Sequence, residues 1–451
     1  MLSSWIFEFA DLFLKNEMSA ALLSSDGEIL HAKSNLGFEV TGFKNIADSS
    51  LKYIALKPGE ILITNDSYSG GSFLHRYSFL MPLTTAEGSH PGVLLCVRRE
   101  FSPGLNLSDK LDNEGLRIPP TPIFQNGQLI TPIIEAMSRH PLCPQGFQAW
   151  LQATVADLSE AYRKWNQAEK SCKLPFTASE FKKFLNFSKN YATEKILEKA
   201  QGEARSEIQL DSGETLKLHL EVNNGLIKAD FSGTTAGIKT HVPDLATFGA
   251  CYDAVVQFYG LHCFKNSATF SVLQVTKPLG CFLNAKYPAS THQGLQTGVA
   301  AVRMAMTLAL RQIIQSKEVL LSENLAVMEV SFADNNRWLS AWSAKSCCES
   351  VSLEKLESQH PLQFVRVEKD PENMHLQIEF KTLTACQLRW LSEFTKTNLR
   401  APKGLKAPQA TQIEVLADKG EWTCLPSQGT TDLAPGTSLR VNLWGQFVTA
   451  N

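Results

Sequence analysis

Residues 58–72 read Pro-Gly-Glu-Ile-Leu-Ile-Thr-Asn-Asp-Ser-Tyr-Ser-Gly-Gly-Ser, and this stretch decides how the first part of the chain folds. Glu60–Thr64 has the pattern of a strand, which delivers Asn65 and Asp66 into a turn that ends at Gly70-Gly71. The two glycines let the backbone present bare N–H groups to a ligand beside the polar side chains. The alternative is a tight turn that is stabilised only by its own Asx hydrogen bonds.

The neighbouring sequence predicts a β-rich first region. Asp26-Gly27 separates two short apolar runs, which indicates a hairpin, and Tyr77–Met81 and Gly92–Val97 have the composition of further strands. Before them, residues 4–16 follow a helical period. We therefore expect a β-rich N-terminal domain over residues 1–140 that contains the loop after Thr64.

The rest of the chain alternates between helical and strand patterns. Apolar residues recur at helical spacing from Phe147 to Trp165, and a second helix is predicted up to about residue 201, so residues 141–205 form a helical segment. Strands around the turn at Asn223–Gly225, with helices at about 244–260 and 294–315, make residues 206–330 a mixed region. Residues 331–451 are predicted to be mostly β. The predicted fold class is mixed α/β (α+β), with few strict β-α-β units.

Bulk composition limits the classes of function. The 451 residues are 43% apolar and 20% charged, and the formal net charge is −2, so no overall field attracts nucleic acid or an anionic membrane. No apolar stretch reaches the roughly 18 to 20 residues of a membrane helix. The ten cysteines include no C-x-x-C pair, and charges interrupt the first apolar run. We therefore expect a reduced, cytoplasmic protein without a nucleic-acid or membrane partner.

A second polar turn, Asp230-Phe-Ser-Gly-Thr-Thr235, follows a predicted strand and either holds a ligand or only reverses the chain. His241 follows it, and a lone histidine is more often structural than catalytic. The sequence has neither G-x-x-x-x-G-K-[ST] nor G-x-G-x-x-G, so it specifies no nucleotide site. It also lacks the H-E-x-x-H and G-x-S-x-G motifs.

Five segments together resemble the hydantoinase B/oxoprolinase family. Pro58–Ser72 is similar to the family's P-G-D-V-x-x-x-N-D-P-Y-x-G-G-T, and Glu114–Pro120 reads E-G-L-R-I-P-P, as the family does. Asp230–Thr234 matches D-F-S-G-T, Asn284–Ala289 resembles L-N-P-x-F-P-A, and Gly420–Arg440 resembles the C-terminal end. Each motif is weak alone, but the order is kept over about residues 17–440.

The resemblance implies a hydantoinase B-like fold and a place in ATP-dependent chemistry. Family members are the larger subunit, or half, of enzymes that open cyclic amides such as 5-oxoproline and hydantoins, or that carboxylate ketones. A hydantoinase A-like partner handles ATP and Mg, so this chain is expected to bind no cofactor itself. The predicted pocket for a small cyclic amide or anion comprises Asn65, Asp66, Ser67, Gly70, Gly71, Ser72, His75, Arg76, Arg99, Arg117, Asp230 and Thr234.

The chain departs from the family at polar site positions. The family follows Gly-Gly-Thr with H-L-P-D, whose His and Asp bind a divalent metal in carboxylase relatives. Here those positions are Phe73 and Arg76, which offer no donor and a positive charge, so we predict that the site holds no metal. His75 could substitute through a register shift, because residues i and i+2 share one face of a strand.

Arginines accompany these losses. Arg98 and Arg99 lie near positions where the family has histidines, and with Arg76 and Arg117 they could converge into an anion-binding cluster. The alternative is that these arginines are surface residues that point to water.

Three functional interpretations follow. The first is a hydantoinase B-type subunit of an ATP-dependent complex that hydrolyses 5-oxoproline or a hydantoin. The second is a non-catalytic regulatory or scaffolding relative, because the metal ligands are altered. The third is an unrelated α and β protein with chance motif matches, which five ordered matches disfavour.

Overall fold

The structure is a computed structural model of the 451-residue chain. It describes residues 19–83, 93–171, 178–315, 325–334, 336–343, 353–370, 372, 374–395, 405–406, 409–416, 420–444 and 448–449. The predicted helix over residues 4–16 lies outside these ranges.

An antiparallel seven-stranded sheet organises the N-terminal region. Its strands are β1 (Ser19–Ser24), β2 (Ile29–Lys33), β3 (Ile61–Thr64), β4 (Arg76–Leu83), β5 (Val93–Glu100), β6 (Thr121–Gln125) and β7 (Gln128–Leu129). The spatial order is β2-β1-β5-β4-β3-β6-β7, which places the end of β3 beside the start of β4. The predicted hairpin is confirmed, because β1 pairs with β2 and Gly27 adopts a φ of 81°. The strand that leads into Asn65 is confirmed as well.

Helices pack against both faces of this sheet. They are α1 (Gly42–Leu51), which lies on the face that carries Leu62, α2 (Thr131–Ser138), α3 (Phe147–Ser171) and α4 (Ala178–Leu197). The apolar stripe of α3, which includes Phe147, Leu151 and Leu158, packs with α2 against the sheet face that carries Ile63, as helical periodicity requires. Both predicted central helices are thus confirmed, whereas α1 was not predicted.

A second sheet joins the opposite face through a shared core. It contains β8 (Gly202–Gln209), β9 (Thr215–Asn223), β10 (Leu226–Asp230) and β11 (Leu273–Thr276), in the order β11-β10-β9-β8. Helices α5 (Asp244–Tyr259), α6 (Ser267–Phe270) and α7 (Val299–Ile314) complete this region, and a π-helical turn, Gly294–Gly298, leads directly into α7. The largest apolar core lies between α1, α5, α7 and the two sheets. The predicted turn at Asn223–Gly225 and the helices near 244–260 and 294–315 are confirmed.

The C-terminal region is mostly β, as predicted, and has its own apolar core. The elements are β12 (Leu325–Phe332), β13 (Arg337–Ser343), α8 (Leu353–Gln359), β14 (Leu362–Asp370), β15 (His375–Thr382), β16 (Cys386–Glu393), β17 (Leu405–Lys406), β18 (Gln412–Leu416), β19 (Trp422–Cys424), β20 (Gln428–Leu433), β21 (Ser438–Trp444) and β22 (Val448–Thr449). The strands form a sheet of order β13-β12-β16-β20, a sheet of order β14-β15-β21-β18-β19 and the pair β17-β22. Phe394, directly after β16, packs into the large core of the preceding region.

The predicted mixed α and β fold class is confirmed by this arrangement. In the described ranges, one helix, Gly294–Ile314, is long and apolar enough to cross a membrane, and 72% of its apolar window is buried inside the protein. Packing in the large core therefore accounts for its apolar side chains.

Candidate functional site

Asn65 is a structural anchor of the loop that follows β3. Its side chain is fully buried, and Nδ2 donates to the carbonyl oxygens of Leu74 (2.6 Å) and Leu116 (2.7 Å). Its Oδ1 accepts from the N–H of Ile118 at 2.7 Å. Both amide protons and the amide oxygen are thus engaged with the backbone, and Asn65 ties the loop to the segment Glu114–Pro120.

Asp66 forms the Asx turn that the sequence suggested as the simpler alternative. Its Oδ1 accepts from the N–H of Tyr68 (3.1 Å), and its Oδ2 accepts from Oγ of Ser69 (2.8 Å). Arg117 makes a bidentate contact with the same carboxylate, donating from Nε to Oδ1 and from Nη2 to Oδ2, both at 3.0 Å. Burial acts to raise the pKa of Asp66, but the Arg117 hydrogen bond and the turn donors lower the pKa overall.

The two glycines of the loop permit close backbone approach. Gly70 has a φ of 99°, and a Cβ there would lie 2.4 Å from the carbonyl oxygen of Gly42 in α1. A Cβ at Gly71 would lie 2.6 Å from the carbonyl oxygen of Asp66. The glycines therefore serve packing of the loop on itself and on α1.

A buried ion cluster lies immediately behind this loop. Arg76 donates from Nε to Oε1 of Glu39 at 2.8 Å and from Nη2 to Oε2 at 3.0 Å. Arg98 places Nη1 3.3 Å from Oε1 of Glu39 and donates from Nη2 to the carbonyl oxygen of Gly70 at 2.8 Å. All three side chains are at most 2% exposed. We call Glu39, Arg76 and Arg98 the ion cluster.

Hydrogen bonds from neighbouring residues complete the ion cluster. Ser72 donates to Oε1 of Glu39 at 2.5 Å, and Arg76 also reaches Glu100 through Nη1 at 2.8 Å. Burial alone would raise the pKa of Glu39, but Arg98 and Arg76 lower it to about 2. Glu39 is therefore ionised, and with Glu100 it balances the charges of the two arginines.

The side chains at the positions where the resemblance places metal ligands do not suit a metal ion. The resemblance places the family's metal-binding His and Asp at Phe73 and Arg76. Phe73 is buried and stacks on His75 with ring centroids 5.1 Å apart, and Arg76 is committed to two carboxylates. Within the described ranges, no group of three or more His, Cys, Asp or Glu side chains is arranged to hold a metal ion.

The four predicted arginines are divided among three places in the structure. Arg76 and Arg98 share Glu39, whereas Arg99 donates to Asp157 at 2.9 Å on the α3 side of the sheet. Arg117 lies over the ring of Tyr287, 4.8 Å from its centroid, in addition to its bond with Asp66. The four guanidiniums are thus each paired with a carboxylate of the protein, and anion binding by them stays a prediction.

The second predicted turn lies apart from the first. Asp230 accepts from the N–H (2.9 Å) and Oγ (2.7 Å) of Ser232, which is again an Asx turn. Thr234 bonds to the backbone of Lys217 through its Oγ1. These contacts brace the second sheet, and neither residue lines the cavity described next.

A polar cavity of about 720 Å³ lies between the N-terminal sheet and the C-terminal β12-β13-β16 strands. We call it the junction cavity, and the residues that line it include His75, Glu114, His292, Glu329, Arg337 and Arg389. His75 is the one member of the predicted pocket that lines it. Ser67 nevertheless contacts its wall, because Thr291 Oγ1 donates to Ser67 Oγ at 3.2 Å.

Two neutral histidines form one end of the junction cavity. His75 and His292 have ring centroids 5.9 Å apart, and the edge of His292 meets the ring of Phe73 at 5.1 Å. Burial lowers the pKa of His75 to about 3, with a further contribution from His292, and burial lowers the pKa of His292 to about 4. Both imidazoles are therefore uncharged at neutral pH.

Glu114 fixes the turn that carries His292. Its Oε1 accepts from the N–H groups of Thr291 (2.5 Å) and His292 (2.9 Å) and from Oγ of Ser290. Burial raises the pKa of Glu114, although these donors oppose the shift. One carboxyl group thus accepts three hydrogen bonds from the residues just before the π-helical turn Gly294–Gly298.

Charged side chains from the C-terminal sheet form the opposite end. Glu329 is buried, and its Oε2 accepts from the N–H of Leu105 at 2.7 Å, while Arg389 Nη1 lies 3.5 Å from its Oε1. Arg337 donates from Nη2 to Oγ of Ser102 at 2.9 Å. The cavity therefore has a neutral imidazole end and a charged end.

The sequence marked segments next to the junction cavity but did not mark most of the residues that line it. Glu114 begins one of the quoted segments, and His292 follows Tyr287-Pro288-Ala289 by three residues, so motif proximity was the available signal. No sequence pattern marks Glu39, which lies in the short 3-10 helix Gly37–Glu39, because its role depends on two arginines from strands β4 and β5. Glu329, Arg337 and Arg389 come from distant strands and were equally unmarked.

Comparisons with known proteins agree with this fold. A sequence model of the family described as Hydantoinase B/oxoprolinase matches residues 14–344. An uncharacterized protein of Methanocaldococcus jannaschii is 24% identical over 323 residues, which are 65% of this chain and 56% of that protein, so the match spans about half the length of this curated relative.

Two solved structures are similar over nearly the whole chain. The ATP-dependent caprolactamase from Pseudomonas jessenii superimposes with a TM-score of 0.78 at 14% identity, covering 98% of this chain and 89% of that chain. The nucleotide-free structure of acetone carboxylase, described with ATP-dependent acetone carboxylation, gives a TM-score of 0.76 at 9% identity, covering 98% of this chain and 73% of that chain. At these identities the likeness shows the fold.

Proposed function

Because the chain belongs to the hydantoinase B/oxoprolinase family, we propose that it is the hydantoinase B-type subunit of an ATP-dependent complex that hydrolyses a cyclic amide. The observation that carries this proposal is the junction cavity, since it places Glu114, the first residue of one segment of the family resemblance, beside imidazoles that suit a small amide. The lactam of 5-oxoproline offers an N–H donor beside a carbonyl acceptor, and a hydantoin ring offers two of each. Neutral imidazoles, which can donate and accept, complement both groups.

We propose that a hydantoinase A-like partner supplies the ATP site in the cytoplasm. The sequence has no phosphate-binding loop of its own. Two proteins with this fold, the caprolactamase and the carboxylase, are described as ATP-dependent, which supports the same energy source here. ATP and Mg would then be held by the partner.

The test is reconstitution with a hydantoinase A-like partner. We expect the purified complex to hydrolyse ATP faster when 5-oxoproline, hydantoin or another lactam is added, and to release the ring-opened product. A matched control is the partner alone with the same compounds. No stimulation across the panel, with both proteins folded and associated, contradicts the proposal.

A second candidate is a non-catalytic subunit, and the ion cluster favours it. Phe73 and Arg76 stand where the resemblance places metal ligands, and Arg76 is bound to Glu39 instead. Such a relative would keep the fold and the partner surface without turnover. It predicts that the complex assembles but that its ATP hydrolysis is unaffected by any cyclic amide and by Glu114→Ala.

A further inference from the structure

His292 is buried without a hydrogen-bond partner for its Nε2, although it lines a polar cavity. The side chain is 4% exposed, and Nε2 has no partner in the described ranges. A buried, unpaired ring nitrogen is costly, so native structures usually satisfy one or use it. His292 is nevertheless one of the residues that line the junction cavity, so its ring is next to the space a ligand would occupy.

Several charged groups of the cavity already have protein partners. Glu114 Oε1 accepts three hydrogen bonds. Glu329 accepts a hydrogen bond from the N–H of Leu105 and forms an ion pair with Arg389. Arg337 is bonded to Ser102. The unpaired Nε2 of His292 is thus hydrogen-bonding capacity that the protein itself does not use.

Building on the proposed function, we infer that His292 is a catalytic residue that contacts the amide and transfers protons in its hydrolysis. Water attacks the carbonyl carbon and forms the new C–O bond, and its proton passes to the free ring nitrogen of His292. The C–N bond then breaks, and the leaving nitrogen takes that proton back from the imidazolium. One amide and one water become one carboxylic acid and one amine, and the imidazole is regenerated, while the partner converts ATP and a second water into ADP and phosphate and so drives the ring opening.

His75 and Glu114 support His292 in different ways. The ring of His75, 5.9 Å from that of His292, forms the adjacent wall, where it can hydrogen-bond the substrate. Glu114 acts through the backbone of residues 290–292 and is a positioning residue. The low pKa of His292 keeps its ring in the proton-accepting form across the neutral range.

The binding part of the inference is tested by NMR of protein labelled with ¹⁵N-histidine. We expect 5-oxoproline or hydantoin, added to the chain alone and to its complex, to shift the ring resonances of His292 and His75. His292→Gln assigns the signal. His31 is a matched control, because it is 2% exposed, lies on β2 and does not line the cavity. Unchanged His292 resonances with every compound, in both preparations, overturn the inference.

The catalytic part is tested in the complex by release of ring-opened product. His292→Gln should lower kcat by about 100-fold or more, the usual contribution of a proton-transfer residue, whereas His31→Gln should keep turnover at a similar thermal stability. Glu114→Ala should lower kcat more than it raises KM, and Glu114→Gln, which keeps an acceptor oxygen, should restore most of the loss.

The outcomes separate this inference from the proposed function. Wild-type turnover in His292→Gln overturns the inference and leaves the amide hydrolase intact. No turnover in the wild-type complex overturns the proposed function and the proton-transfer role, and the NMR result then decides whether His292 remains a ligand contact.

Discussion

Glu39 and Arg76 show how single residues determine the character of this site. A buried ion pair contributes little net stability, since the loss of hydration offsets the attraction between the charges. Removing one partner is different, because it leaves an uncompensated charge in the interior. Arg76 bonds to both oxygens of Glu39 and to Glu100, and it also donates to Ser19 and Asn35, so few groups could replace it.

Arg76→Met should therefore destabilise the protein by about 3–5 kcal/mol, the cost of breaking a buried pair. Urea unfolding followed by circular dichroism measures this loss. The control is Arg99→Met, because Arg99 is a partly exposed arginine of the same sheet paired with Asp157, and it should cost no more than about 1 kcal/mol. Equal losses in the two variants would contradict the role given to the ion cluster.

The metal content of the purified protein is a second test of the residues at positions 73 and 76. Protein incubated with Mn²⁺, Zn²⁺ or Fe²⁺ and then dialysed should retain far less than one equivalent, because Phe73 offers no donor atom and Arg76 adds a positive charge. Plasma mass spectrometry gives the ratio. One tightly held equivalent in the wild type, kept after dialysis, would show that other ligands have been overlooked.

The sequence predicted individual residues only where a local pattern governs them. Asp66 was recognised as a possible Asx-turn residue, and it is one. Asn65 was expected to meet a ligand, but its amide is consumed by backbone groups up to 53 positions away in sequence. Long-range partners of this kind are invisible to local patterns, which is also why Glu39 was missed.

At the scale of elements, the turn from Ser290 to Gly298 connects the site to the core. Glu114 holds its first residues, the π-helical segment follows, and α7 continues into the large core. Extra residues in a helical turn are often retained where a side chain must be aimed. Gly294 permits the close approach, since a Cβ there would lie 2.0 Å from the carbonyl oxygen of His241.

Gly294→Ala should push this turn away from His241, and we expect a loss of about 1–3 kcal/mol, as in overpacked interiors. Thermal unfolding measures the loss, and the ¹⁵N-histidine spectrum should show a displaced His292 signal even without ligand. A variant with unchanged stability and an unchanged His292 signal would mean that the turn does not depend on this contact.

Elements with strong periodicity were predictable, and short or polar ones were not. The helix Phe147–Ser171 and the strand Ile61–Thr64 follow from apolar spacing and turn residues alone. Helix Gly42–Leu51 was missed because its sequence, GFKNIADSSL, contains glycine, asparagine and serines that favour helices weakly. Packing of Phe43 and Ile46 in the large core stabilises it instead.

At the scale of the whole molecule, two regions with separate cores meet through a buried carboxyl group. Glu393, at the end of β16, accepts from the N–H of Asp211 at 2.6 Å, and Thr395 donates to the Asp211 side chain. Burial, and next the charge of Asp211, raise the pKa of Glu393 to about 8. This contact lies beside Phe394, which crosses into the large core.

The raised pKa gives the protein a pH-dependent stability. The folded state keeps Glu393 protonated up to about pH 8, whereas the unfolded chain ionises it near pH 4.5. The contribution of Glu393 to the free energy of unfolding is therefore complete below about pH 4.5 and is lost as the pH rises to about 8. Stability should fall by up to about 1.4 kcal/mol per pH unit from this group. Denaturant titrations from pH 5 to 8.5 should show a shallower fall in Glu393→Gln than in wild type. The exposed Glu198→Gln is the control, and equal slopes in all three proteins would contradict the assignment.

The ion cluster also limits how this loop could be redesigned to bind a cation. An acidic residue introduced at position 76 would stand beside Glu39 with Arg98 as the remaining buried counter-charge, so the variant would bury a net negative charge. Position 73 would need a simultaneous exchange of a packed aromatic ring for a donor. A designer would therefore have to change the two positions together with Glu39, because no single substitution leaves the buried charges balanced.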